Sequence, residues 1–184
     1  MVSLVFVFWI FVGLGAIIGT LRGWAKELLV TVSVVLAVFI INVLENFVTF
    51  LSSFYEQGGP ASVFATRTLI VLLLAFFGYQ TPHLRFLSRG AVREKLQDSI
   101  LGLFLGALNG YLIIGSIWYY LHIAGYPFDF IIAPHDPRVS VMMEPRALET
   151  TMWFIEHMPP AMLTEPLLYF LVAGLFTLVV MVFI

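Results

Sequence analysis

A chain of 184 residues that is 61% hydrophobic and only 11% charged, with a mean hydropathy of +1.01, lies far outside the range of a soluble globular domain and reads as an integral membrane protein. The formal net charge of −2, with basic residues confined to short segments between apolar runs, excludes nucleic acid as a partner. The absence of cysteine removes disulfides, thiolate metal sites and a cysteine nucleophile together.

A helical crossing takes about 20 mostly apolar residues at ~1.5 Å rise each. The first such run extends from Val2 to Leu21 with no basic residue before it, so it reads as a retained span rather than a cleaved signal peptide. It carries Gly15, Gly19 and Gly23 four residues apart. Arg22-Gly23-Trp24-Ala25-Lys26-Glu27 forms a short charged turn with an interfacial tryptophan. A second span, Leu28 to Leu44, has Thr31, Ser33 and Asn42 as its polar groups. Glu45 to Ala65 is predicted as a loop, on the strength of Tyr55-Glu56-Gln57-Gly58-Gly59-Pro60. A third span is expected from Arg67 or Thr68 towards Leu87, with Pro82 kinking or ending it; Glu45 and Arg67 then sit at the ends of neighbouring spans and are able to pair. Arg85, Arg89 and Arg93 follow at intervals of four. If helical they share one face and are candidates for contact with anionic lipid headgroups, worth about 1 kcal/mol each.

The fourth span opens with Asp98 and carries Gly102, Gly106 and Gly110, which on a helix form one stripe without side chains. In lipid, where apolar burial gives no drive for helix pairing, such a stripe lets two backbones approach closely, and the first span through Gly15 and Gly19 is the expected partner. Trp118, Tyr119 and Tyr120 form an aromatic exit. From Gly125 to Pro166 the composition changes, with seven of the nine prolines. Pro145 suits a first helical position, and Leu148, Met152 and Ile155 fall opposite Glu149, Trp153 and Glu156, predicting a short helix on the membrane surface. Leu167 to Ile184 is just long enough for a fifth span, with a re-entrant or interfacial placement as the alternative. The expected class is therefore an all-α polytopic membrane helix bundle: a four-span core (1–124), a proline-rich extracytoplasmic segment with an interfacial helix (125–166) and a C-terminal span (167–184). Six basic residues (Arg22, Lys26, Arg85, Arg89, Arg93, Lys95) on one side against three (Arg67, Arg138, Arg146) on the other put the former in the cytoplasm and the N-terminus outside.

Two stretches, Arg22-Gly23-Trp24-x-x-Glu27-Leu28 and Asp98-Ser99-Ile100-Leu101-Gly102-x-x-x-Gly106-Ala107-Leu108-Asn109-Gly110, resemble the signature regions of the colicin V production (CvpA) family of small bacterial inner-membrane proteins. The resemblance covers about the first two thirds of the chain. Asn109 stands where that family often has a basic residue, and the proline-rich segment and last apolar run extend beyond its usual four spans. The resemblance implies a role in toxin production or export, or in envelope upkeep, with no reaction attached.

Arg22, Glu27 and Asp98, the charged residues of these two stretches, all fall at the cytoplasmic ends of spans. Packing of the glycine faces would bring them together, with an Arg22–Asp98 bond and Glu27 nearby, or with Asp98 capping its own helix at the Ile100 or Leu101 amide. His83, His122, His135 and His157 lie at span ends or outside the spans and lack metal-ligand spacing, so no metal, haem or other cofactor is expected. No nucleophile elbow or phosphate loop occurs, and no catalysis is expected. The classes left are a CvpA-like protein acting by helix association with lipid, itself or other membrane subunits, an accessory subunit of a larger photosynthetic or respiratory complex, and an oligomeric channel or transporter.

Overall fold

A computed structural model describes residues 4–80, 92–128 and 145–183. Among the described residues every regular element is a helix: α1 (Leu4–Arg22), α2 (Trp24–Phe47), α3 (Thr49–Tyr79), α4 (Val92–Ile123), α5 (Pro145–Glu156), α6 (Pro159–Met162) and α7 (Leu167–Phe183). Four stretches, Leu4–Arg22, Trp24–Phe47, Phe54–Tyr79 and Lys95–Ile123, are long and apolar enough to cross a membrane, and Leu167–Met181 forms a shorter apolar helix.

Helix α4 is the axis of the bundle and touches α1, α2 and α3 as well as α5 and α6. Its glycine face meets α1, while Leu112 joins Val30, Val34, Val35 and Val38 of α2, Ala75 of α3 and Leu168 of α7 in one buried cluster. The β-branched residues of α2 bring a stiff, single-rotamer surface to that seam. Helix α7 begins beside the far end of α2, where the Phe39 and Tyr169 rings meet edge to face at 5.7 Å. Beyond the glycine face, Phe8 of α1 and Trp118 of α4 are sealed by Ile155 of α5 and by Met158, which caps α6.

Three boundaries depart from expectation. The charged turn between the first two spans shrinks to Gly23 alone, so α2 starts at Trp24 and includes Lys26 and Glu27. The predicted loop between Glu45 and Ala65 is mostly helical: the chain breaks only at Val48, and α3 runs from Thr49 with a kink at Gly59 (φ 67°, ψ −170°). The glycines and proline act as a joint rather than a loop, because Gly59 takes the left-handed φ and Pro60 restarts the helix where its missing N–H is not needed. Helix α3 ends at Tyr79, well short of Leu87, and the expected kink at Pro82 lies outside the described residues. Helix α5 is described over Pro145–Glu156; Thr151 and Ile155 on it are buried, as is Met158 just beyond it, while Met152 is 37% exposed.

The joint at Gly59 is testable because nothing lies within 4 Å of an added Cβ there, leaving backbone strain as the effect of substitution. Gly59→Ala is expected to destabilise the detergent-solubilised protein by about 1–3 kcal/mol, the cost of holding an L-residue in a positive-φ, extended-ψ conformation that glycine alone adopts readily. Gly13→Ala, in α1 and equally free of neighbours, should leave stability unchanged or raise it slightly in the same thermal unfolding assay.

Candidate functional site

The end of the bundle at which α1 passes into α2 holds a buried polar node. Gly23 takes φ 84°, which turns the chain within one residue and leaves Arg22 closing α1 and Glu27 in the first turn of α2. Arg22 Nη1 donates to Glu27 Oε1 at 2.7 Å, and Arg22 Nη2 donates to the Tyr79 carbonyl at 3.0 Å. Tyr79 is the last residue of α3, so the guanidinium satisfies an orphan carbonyl at a helix C-terminus where positive charge is favoured. The same guanidinium lies 4.6 Å from the centre of the Tyr79 ring.

Glu27 is 0% exposed. Its Oε2 accepts from Asn109 Nδ2 at 2.7 Å, and the Asn109 amide also donates to the Glu27 carbonyl at 2.9 Å. Asn109, itself 0% exposed, accepts at Oδ1 from the Thr31 hydroxyl at 2.8 Å. Through Arg22 and Asn109 one carboxylate thus ties α1, α2, α3 and α4 together. Removing one partner from such a pair leaves an uncompensated buried charge, which typically costs about 3–5 kcal/mol.

Asp98 has a different role from either one expected. Its Oδ1 accepts from the Trp24 backbone N–H at 2.9 Å, so it caps the N-terminus of α2 from across the bundle. The chain is already helical at Val92, which places Asp98 inside α4 and away from any capping position there. Arg22 pairs with Glu27 and not with Asp98, because the restart of α2 immediately after Gly23 presents an orphan amide to Asp98 and a carboxylate to Arg22. Gly23 is required twice: by its positive φ, and because a Cβ there would lie 2.5 Å from Asp98 Oδ2.

The glycines set how closely these groups approach. Helices α1 and α4 run antiparallel with Gly15 beside Gly106 and Gly110, and Gly19 beside Gly102 and Gly106. A Cβ on Gly19 would fall 2.8 Å from Gly106 Cα, one on Gly106 would fall 2.8 Å from Gly19 Cα, and one on Gly110 would fall 2.8 Å from the Phe11 carbonyl. Backbone faces backbone along this seam, so no side chain is free to swing aside.

At the opposite end of the bundle Arg67 and Glu45 form a bidentate pair, Nε to Oε1 at 2.7 Å and Nη2 to Oε2 at 2.9 Å. Tyr55 donates to the same carboxylate at 3.2 Å, and the guanidinium stands 5.4 Å from the centre of the Tyr120 ring. Arg85 and Arg89 lie outside the described residues, as do His83 and His135; Arg93 falls in the first turn of α4. His157 stacks on Trp153 at 4.1 Å. Among the described residues no three His, Cys, Asp or Glu side chains are grouped to hold a metal ion.

The charges of the node are evident in the sequence, whereas Asn109, Thr31 and Tyr79 are not marked there as their partners. The available signal was the spacing of four that puts Glu27 and Thr31 on one face of α2, facing an asparagine on α4 one position before Gly110. Two outcomes follow from the geometry. Asp98→Asn keeps an acceptor oxygen for Trp24 and should retain most of the stability that Asp98→Ala loses, about 1 kcal/mol for a lost N-cap, in chemical or thermal unfolding. Gly106→Ala should destabilise by about 1–3 kcal/mol through overpacking, whereas Leu105→Ala, on another face of α4, should act less on assembly than Gly106→Leu.

Residues 4–131 match the family model described as colicin V production protein. No curated protein and no solved structure matches the chain. The matched range takes in α1 to α4, both glycine faces and every residue of the polar node. This chain is a multi-pass membrane protein that belongs to the colicin V production protein family.

Proposed function

We propose that this chain is a non-catalytic component of the bacterial cytoplasmic membrane that supports toxin production or export, or envelope maintenance, by associating with the bilayer and with itself or other membrane proteins. The reading rests on how the spans use their polar groups. Arg22, Glu27, Thr31 and Asn109 bond to one another or to backbone between helices, and the outward faces are apolar, with Phe6, Ile17, Leu69 and Phe104 each at least 60% exposed. Catalysis or ion transport uses ionisable groups that face a substrate or a water-filled path. At this node they act as fasteners. The glycine faces are consumed within the chain, so association with partners uses the exposed apolar sides of α1, α3, α4 and α7.

The N-terminus lies outside in this reading, with the Arg22–Glu27 joint and the segment before Asp98 cytoplasmic, following the six-to-three basic asymmetry. The C-terminal helix α7, about 25 Å long at ~1.5 Å per residue, then crosses as a fifth span beside α2. The test is a deletion strain of the parent bacterium, scored for toxin export and for detergent permeability of the envelope. Wild-type protein and the exposed-site variant Glu56→Ala should restore the phenotype, and Gly106→Leu should not. Purified protein in planar bilayers should show no conductance above background. A deletion without effect on either phenotype contradicts the reading, and a reproducible conductance moves the protein to the pore class.

A further inference from the structure

Beneath the end of α5 lies a lateral crevice of about 460 Å³ that neither the polar node nor the glycine seam uses. Its walls are Trp9 and Val12 of α1 with Ala107 and Leu108 of α4, and its roof is Phe154 and Met158. We propose that it holds one acyl chain of a zwitterionic, amine-bearing phospholipid from the leaflet on the α5 side.

Three observations select that occupant. First, the crevice opens between two helices long and apolar enough to cross a membrane, and its flanking residues Trp9 and Leu108 are 55% and 40% exposed. Hydrocarbon is what surrounds those surfaces in a bilayer. Second, the walls offer water almost nothing: the Tyr111 hydroxyl already donates to the His157 carbonyl, and a buried water needs two to four polar partners. The volume falls within the range of about 300–1,000 Å³ typical of ligand pockets. Third, Trp153, which lines the crevice, stands between two carboxylates along α5. Glu149, Trp153 and Glu156 recur at helical spacing of four and three, and all three are exposed. A tryptophan flanked by two carboxylates, and stacked on His157, sits where an interfacial aromatic belongs. It accepts an ammonium group readily and repels a headgroup of net negative charge.

The experiment uses the full-length protein in nanodiscs of digalactosyldiacylglycerol, a neutral bilayer lipid without an amine, doped with phosphatidylethanolamine that carries a diazirine on its acyl chain. Photolabelling of the peptide spanning Met152 to Met162 should saturate, and unlabelled phosphatidylethanolamine should compete at several-fold lower concentration than phosphatidylglycerol. Labelling at Phe170 and Phe176 of α7, which are 75% and 66% exposed, should rise without saturation and serves as the bulk-lipid reference. Ala107→Phe and Met162→Trp each fill the crevice, one from the wall and one from a 52% exposed position on the roof side, and either should abolish the saturable labelling while leaving the α7 reference unchanged. The α7 reference and the elution profile together report folding, so a collapsed variant is recognised as such and the other decides. Labelling that fails to saturate, or that persists in both filled variants, overturns the site. Equal competition by phosphatidylglycerol, or an ethanolamine preference that survives Glu149→Gln with Glu156→Gln, overturns the headgroup selection.

Discussion

A carboxylate with no exposed surface, set among apolar helices, has to be answered by other groups of the chain. Glu27 is answered twice, by the Arg22 guanidinium on one oxygen and by the Asn109 amide on the other. An ion pair of this kind gains little relative to a well-packed apolar pair, yet loses heavily if a helix shifts and a partner is withdrawn. Its effect is therefore on specificity. Any arrangement of α1, α2, α3 and α4 that leaves Glu27 or Arg22 alone is penalised, which matters in lipid because apolar faces pair there without strong preference.

The node depends on the glycine seam for its geometry. Asn109 has a short side chain and reaches Glu27 only if α2 and α4 stay close at that level, while Asp98 reaches the Trp24 amide only if α1 and α4 meet closely enough to bring the Gly23 turn against it. The second condition holds because Gly15 and Gly19 let α1 approach α4 to backbone contact, and the first is met where the valines of α2 pack against Leu112 of α4. The seam brings dispersion contacts and proximity, and the node fixes register. A basic residue at position 109, which the family resemblance associates with that site, would place a second cation against Glu27; here a neutral amide fills the place and Arg22 is the cation that remains.

Much of the architecture was readable because it rests on local periodicity. The glycines recur every fourth residue in both α1 and α4, and the apolar runs that become α1, α2 and α4 stand out by length and composition. The family was legible from the two short stretches that flank those glycines. Other features depend on distance in sequence and were not legible. Glu27 and Asn109 are 82 residues apart and Trp24 and Asp98 are 74 apart, so their pairing follows only once the register of the helices is known. The misread segment between Glu45 and Ala65 has a different cause: Gly58-Gly59-Pro60 is strong turn chemistry, but a left-handed glycine followed by an N1 proline joins two helices as readily as it makes a loop.

The claim that Glu27 fastens the bundle through Arg22 is tested most directly by a double-mutant cycle on the unfolding free energy of the solubilised protein, with Arg22→Gln and Glu27→Gln. Each single change strands one member of the pair and the double change strands neither. The account predicts that the double variant loses clearly less than the sum of the singles, with a coupling of at least ~1 kcal/mol. Additive losses would contradict it, since they would mean that the two side chains hold the helices together independently.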